Sequence, residues 1–336
     1  MRIRRRALMR AVVAGLMAAS AHGLAQPRGK VFRLGYASFR TGPAALDDAF
    51  LQGLRERGYV VGRDVLIEYR WADNDLTRFE AQVDELVRLK VDVIVTSATP
   101  AVRAAMRATR SIPIVFAAAI DPVGTGLVAN LAHPGGNVTG MSLLSNDLAR
   151  KRLQLLRELL PGVTRVAVLA SRGADYASVP PAQRPADRLV AEVQAAAAQV
   201  GIDVSARMVG AASEFPQAVT QMKRDGVQAV IVQQTALTGQ HRGEIVDMLS
   251  RERLPAIYES RDFVESGGLV SYGPDVHDSY RLAASYVDRI FKGAKPGDLA
   301  IEQATKFQLV INLKAAGALG LNVPQTLLLR ADEVIQ

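Results

Sequence analysis

Short polar side chains follow the apolar runs of this chain, and they are of the kinds that grip a small solute. Ser38, Thr41 and Gly42 come after VFRLGYA at 31–37, Ser97, Ala98 and Thr99 after VDVIVT at 91–96, and Asp121 ends IPIVFAAAID at 112–121. A second set repeats the arrangement: Ser171, Arg172, Asp175 and Tyr176 follow RVAVLA at 165–170, and Gln233, Gln234 and Thr235 end VQAVIVQQT at 227–235. Tyr258, Glu259 and Arg261 follow LPAI at 254–257, and Ser271 and Tyr272 lie in GGLVSYG at 267–273. Hydroxyls, amides and helix N-termini suit an anionic or zwitterionic molecule, while a carboxylate such as Asp121 or Glu259 suits an ammonium. Tyr176, Tyr258, Tyr272 and Phe39 could add a stacking wall, with Tyr36 assigned rather to the core.

The same residues make a poor catalytic set. With no cysteine in the chain, thiol catalysis, disulfides and thiolate metal sites are excluded. The four histidines, His22, His133, His241 and His277, lack the HxH or HExxH spacing of a metal site, so no metal is expected. Neither a GxSxG elbow nor a Walker loop is present. The run GTGLVA at 124–129 matches the GxGxxA dinucleotide pattern, but it follows the fourth extended run instead of the first, with Pro122 and Val123 intervening. A structural turn is expected there, and no cofactor. Acid/base work by Asp121, Glu259 and Asp262 stays open as a small-molecule enzyme alternative, without a supporting nucleophile.

The elements that must position these groups alternate in kind. From Lys30, extended runs at 31–37, 64–71, 91–99 and 112–119 are separated by amphipathic stretches at 46–58, 76–90 and 100–109. This order implies a parallel sheet with helices on both faces, and ligands of such sheets bind beyond the carboxyl ends of the strands. The pattern then recurs. RVAVLA answers VFRLGY, GIDV at 201–204 answers GRDV at 62–65, VQAVIVQQT answers VDVIVTSAT, and LPAI answers IPIV, with offsets of 134 to 142 positions. With 336 residues, 49% of them hydrophobic, the chain suits two domains. The expected fold class is therefore α/β, two similar doubly wound parallel-sheet lobes joined by hinge crossings. Lobe 1 is expected over 30–141 plus about 272–300, and lobe 2 over 142–271 plus about 301–336. The strand GGLVSYG and the helix 278–292 are expected to return to the first lobe, and 307–321 to cross again. Asp121 would then face Glu259 across a cleft that closes by hinge rotation.

Met1 to Arg10 holds five arginines and no acid, followed by AVVAGLMAAS and AHGLA. A basic head, an apolar run too short to span a bilayer and small residues before the end read as an export signal cleaved near Ala25, of either Sec or twin-arginine type. Its removal leaves 36 basic against 33 acidic residues, so the formal charge falls from +8 to +3. No basic stripe then argues for nucleic acid, and no later apolar run is long enough for a membrane span. A soluble, periplasmic, monomeric protein is expected.

Taken together, GYVVGRDVLIEYRWA (58–72), IPIVF with DPVGTGLVANLAHPGGNVTGMSLL (112–144), KRLQLLRELLPG (151–162), GGLVSYG (267–273) and TKFQLVINLKAAGALGLNVPQTLLLRADEVI (305–335) resemble the ABC transporter substrate-binding protein family with the type 1 periplasmic binding fold, the group related to tryptophan- and tyrosine-type binding proteins. The resemblance implies a hinge-closing binder that delivers a small molecule, an amino acid or similar small carboxylate, aromatic ones included, to a permease and ATPase pair at the inner membrane. It implies first-lobe contacts at Ser97, Ala98, Thr99 and Asp121 and second-lobe contacts near Gln234 and Glu259. The run SRGADYASVPPAQRP at 171–185 departs from the family's short Asn-Pro-rich loop. An extracytoplasmic sensor subunit of a signalling system is the alternative of a different class.

Overall fold

The computed structural model describes residues 30–73, 75–143, 148–172 and 184–336. The arginine-rich leader, and Asp175 and Tyr176 with most of their insertion, lie outside the described residues.

The first lobe begins with β1 (Phe32–Ser38), α1 (Ala45–Glu56), β2 (Val65–Trp71), α2 (Leu76–Arg88), β3 (Val93–Thr96), α3 (Thr99–Ala108), β4 (Ile114–Ile120) and β5 (Val138–Leu143). Two of its helices are started by acidic side chains, and the third by Pro100 in its first turn. Asp47 accepts the Ala44 N–H at the head of α1 (2.7 Å), and Asp75 accepts the Arg78 N–H to cap α2 (3.0 Å). The central strands β3 and β4 are short, nearly wholly buried runs, as parallel strands covered on both faces must be, while the edge strand β2 is mostly half-buried.

The second lobe contains α4 (Ala149–Leu159), β6 (Arg165–Ser171), α5 (Pro185–Ala198), β7 (Asp203–Val209), α6 (Phe215–Arg224), β8 (Ala229–Val232), α7 (Ala236–Gln240), α8 (Arg242–Arg251), β9 (Ala256–Tyr258), α9 (Arg261–Glu265) and β10 (Val270–Pro274). There follow α10 (Val276–Phe291), β11 (Glu302–Gln303), β12 (Phe307–Asn312), α11 (Leu313–Leu319), α12 (Gln325–Leu328) and β13 (Glu333–Ile335).

The two sheets run β11-β5-β4-β3-β1-β2 and β13-β12-β10-β9-β8-β6-β7. Matching β6 to β1, β7 to β2, β8 to β3 and β9 to β4, as the repeated runs require, gives both sheets one order and makes β10 the counterpart of β5. That corrects one expectation: the strand in GGLVSYG does not return to the first lobe. It pairs in parallel with β9 and antiparallel with β12, and only the following helix crosses.

Each sheet is covered twice. In the first lobe Phe79, Val83, Leu86 and Val102 pack on Ile94, Ile114 and Phe116 from one side. Phe50 and Leu54 of α1 with Ala283, Ala284, Tyr286 and Val287 of α10 cover Leu34, Val93, Val95 and Val115 from the other. Gly53 lets α1 and α10 touch: a Cβ there would meet the Arg281 carbonyl and the Ala284 methyl. The second lobe is built alike, with α4 and α5 on one face and α6, α8 and α9 on the other. All strands except β12 and β13 point their carboxyl ends the same way within their sheet. The chain passes between the sheets after β5, after β10 and after β11.

Candidate functional site

At the tip of β1, Ser38 is buried and its hydroxyl oxygen accepts from Arg40, from the backbone N–H at 3.3 Å and from Nε at 3.2 Å. Arg40 Nη2 is ion-paired with Asp47, which also accepts the Tyr36 hydroxyl at 2.5 Å. The guanidinium lies 5.3 Å from the centre of the Trp71 ring, within cation–π range. Burial pushes the Tyr36 hydroxyl well up from its ordinary pKa, with the Tyr280 and Asp47 charges adding to it. Thr41 is exposed.

Two backbone features mark the neighbouring tips. Ala98 has φ +71° and ψ 138°, and Asp121 has φ +41°. Such values cost a side-chain-bearing residue about 1–3 kcal/mol, and strain of this kind collects at functional sites. Ala98 is held there by its N–H on the Ala118 carbonyl at 2.8 Å, so α3 begins at Thr99 with its first turn beside the β4 tip. Ser97 Oγ accepts the hydroxyl of Tyr280, from α10, at 2.6 Å.

The Asp121 carbonyl accepts Thr125 N–H (2.9 Å) and Thr125 Oγ1 (2.8 Å), and its carboxylate accepts Gly124 N–H at 2.9 Å. That carboxylate is ion-paired with Arg188 of α5, in the second lobe, and a Cβ at Gly124 would collide with both partners. The glycine of the GTGLVA run therefore makes room for a charge pair. No helix follows it, only turns and bends through Ala129, so the geometry of a dinucleotide site is absent.

In the second lobe, Glu259 is 3% exposed and Arg152, from α4, is 0% exposed. Arg152 Nη1 donates to Glu259 at 2.7 Å, Arg152 Nε to the Tyr272 carbonyl at 2.7 Å, and the Gln234 N–H to the other Glu259 oxygen at 2.9 Å. Burial pulls the Arg152 pKa down, with Glu259, Tyr272 and Glu192 acting against it. Asp121 and Glu259, expected to face each other across a cleft, are thus each engaged in an ion pair of their own. Thr235 caps α7 through the Thr238 N–H at 3.1 Å. The Tyr258 ring is turned into the core and stacked on Phe263, with centroids 4.8 Å apart, and burial raises its hydroxyl pKa. Ser271 is buried, and its hydroxyl, like the side-chain carbonyls of Gln233 and Gln234, has no hydrogen-bond partner among the described residues. Tyr272 is half-buried, its ring 6.4 Å from that of Phe307.

The predicted residues thus gather at the strand tips of two matching sheets, with Asp175 and Tyr176 outside the described residues. Sequence reasoning missed Arg40, Asp47, Arg152, Arg188 and Tyr280. Arg152 left a signal: it falls on the apolar stripe of α4 with Leu155, Leu156 and Leu159, where a lone arginine needs a buried acid.

The sequence profile of a family described as ABC transporter substrate binding protein matches residues 41–335. A tyrosine-binding protein of Clostridioides difficile (strain R20291) is 26% identical over 288 residues, 84% of this chain and 80% of that one. Among solved structures, an ABC domain from Streptococcus pneumoniae in complex with L-Trp is 29% identical, with a TM-score of 0.81 over 91% of this chain and 100% of the other. A conserved domain protein from Vibrio cholerae is 27% identical, with a TM-score of 0.80 over 91% and 100%.

Proposed function

Because this chain belongs to the ABC transporter substrate-binding protein family, we propose that the solute it binds is an amino acid, with an aromatic side chain favoured, held between the tips of the two sheets. The type 1 periplasmic binding fold and the role of solute-binding component of an ABC importer come with the family. The observation that carries the ligand is the likeness to the streptococcal protein solved with L-Trp, which extends over nearly the whole chain.

Ser38, Ser97, Ala98, Thr99 and Asp121 would contribute from the first lobe, and Gln234, Thr235, Ser271 and Tyr272 from the second. Thr41 sits at the exposed rim. Glu259 and Tyr258 act from behind, Glu259 by fixing the Gln234 backbone. A solute touching both lobes favours the closed form by the difference of its affinities for closed and open forms and by no more. The solute leaves unchanged, handed to a permease and ATPase at the inner membrane. Residues 1–25 would act as a cleaved export signal that delivers the protein to the periplasm as a monomer.

The test is a thermal-shift screen of the purified protein against the proteinogenic amino acids, aromatic acids and sugars. A cognate solute at about 100 times its dissociation constant stabilises by about 2.7 kcal/mol. A shift with sugars alone would sink the ligand class, and recovery of a chemically altered solute would sink the binding role.

A further inference from the structure

Arg40 is fixed on three sides. Its Nε donates to Ser38 Oγ, its Nη2 is paired with Asp47, and its plane lies over Trp71. Asp47 cannot let it turn, because Tyr36 and the Ala44 N–H occupy the same carboxylate. What remains is Nη1, which is buried and has no hydrogen-bond partner among the described residues.

An arginine that served only to neutralise Asp47 would gain nothing from this arrangement. Two N–H groups withheld from water without an acceptor weaken a fold, and lysine would balance the charge without them. A planar, immobilised guanidinium with one edge to spare is the arrangement that recognises a carboxylate, through charge-assisted hydrogen bonds of fixed direction. Its place agrees. Arg40 lies close enough to Tyr280 for each to shift the other's titration, and the Tyr280 hydroxyl is on Ser97, one residue before the strained Ala98 and the first turn of α3. The unpartnered polar atoms at the second-lobe tips include acceptors, the side-chain carbonyl oxygens of Gln233 and Gln234, beside the Ser271 hydroxyl.

We propose that Arg40 takes the carboxylate of the solute on its Nη1 edge, against Trp71, and so makes the cleft selective for carboxylates over the corresponding amines. The proposal rests on the amino-acid reading above. It also orients the solute, with its carboxylate on the first lobe and its ammonium toward the glutamine carbonyls of the second.

The experiment compares the amino acid giving the largest thermal shift with the amine that lacks only its carboxylate, tryptamine for tryptophan or tyramine for tyrosine, by isothermal titration. The unaltered protein should prefer the acid, and Arg40→Gln should lose about 10- to 100-fold in affinity for the acid and nothing for the amine. Arg40→Lys should recover part of the loss. Equal weakening of acid and amine by Arg40→Gln, or no weakening, overturns the proposal while the amino-acid reading stands. A protein that responds to no amino acid overturns both. Should Arg40→Gln fail to fold, the unaltered protein decides: Trp71 is the only tryptophan of the chain, so its emission should change on binding tyrosine or phenylalanine and stay constant with tyramine or phenethylamine. An identical response to acid and amine overturns the proposal.

Discussion

Asp121, at the end of a first-lobe strand, is ion-paired with Arg188, in the first turn of a second-lobe helix. The pair links the two lobes directly. Both side chains are about a third exposed, 27% and 32%, so water and salt weaken their attraction, and such pairs contribute about 0.2–1 kcal/mol.

The first prediction follows from that contact. If it favours the closed form, Asp121→Asn and Arg188→Gln should each weaken solute binding by up to about 5-fold, because apparent affinity scales with the closed fraction. The double variant should be no worse than either single one, and Asp121→Arg with Arg188→Asp should recover part of the loss. Titration at low and high salt checks this. A loss for Asp121→Asn beyond that for Arg188→Gln would measure the carboxylate's own contact with the solute, and a double variant worse than both single ones would show that the two side chains do not act as one unit.

Arg152 and Glu259 call for the opposite treatment, since neither sees water. Arg152→Met or Glu259→Leu alone should destabilise by about 3–5 kcal/mol, leaving a buried charge without its counterpart. The double replacement should lie much nearer the unaltered protein in thermal midpoint. Equal destabilisation by the double and the singles would show that the Tyr272 carbonyl and Gln234 N–H bonds, and not the charge pair, carry the effect.

Gly53→Ala adds one methyl group where α1 meets the Arg281 carbonyl. Overpacking of this kind costs about 1–3 kcal/mol. Calorimetry should show a lower midpoint, and a midpoint equal to the parent's would mean that α10 shifts freely.

Burial, with the nearby Glu302, pushes the Tyr286 hydroxyl up to about 12. Its folded pKa exceeds the unfolded value of about 10, so the protonated form belongs to the folded state. The stabilisation is complete below pH 10 and is lost as pH rises from about 10 to 12, with the unfolded chain releasing its proton first. The loss amounts to about 3 kcal/mol at most. Tyr286→Phe, which also gives up the hydrogen bonds to the Ala300 carbonyl and from the Glu302 N–H, should show a shallower fall of thermal midpoint over that interval. An equal slope in both proteins would locate the alkaline sensitivity elsewhere.

The strand tips were legible because a parallel strand covered on both faces must be an unbroken apolar run, so its last apolar residue marks where the site begins. VDVIVT and its echo VQAVIV carried this in full. The partners of the tip residues were not legible, for a physical reason. Apart from Arg40, two residues from Ser38, they come from helices distant in the chain, as Tyr280 does for Ser97 at a separation of 183 residues, and only packing decides which helical side chain arrives. Glu259 illustrates the consequence. Read as a free acid at a tip, it proved to be spent on Arg152, 107 residues earlier. The β10 strand was misassigned because a chain that changes sheet three times gives no compositional sign of each change.

Those crossings also impose an order of events on the newborn protein. The outer layer of the first sheet is completed by α10, whose Asp288 accepts the hydroxyl of Tyr59 across 229 residues. A chain emerging N-terminus first therefore exposes Phe50, Leu54 and the apolar face of β1, β3 and β4 until its last quarter appears. Contacts so distant in sequence are slow to form, and uncovered sheet surface invites aggregation. The N-terminal half is thus no independent folding unit, and a truncation after β5 should yield a sticky fragment in place of a lobe.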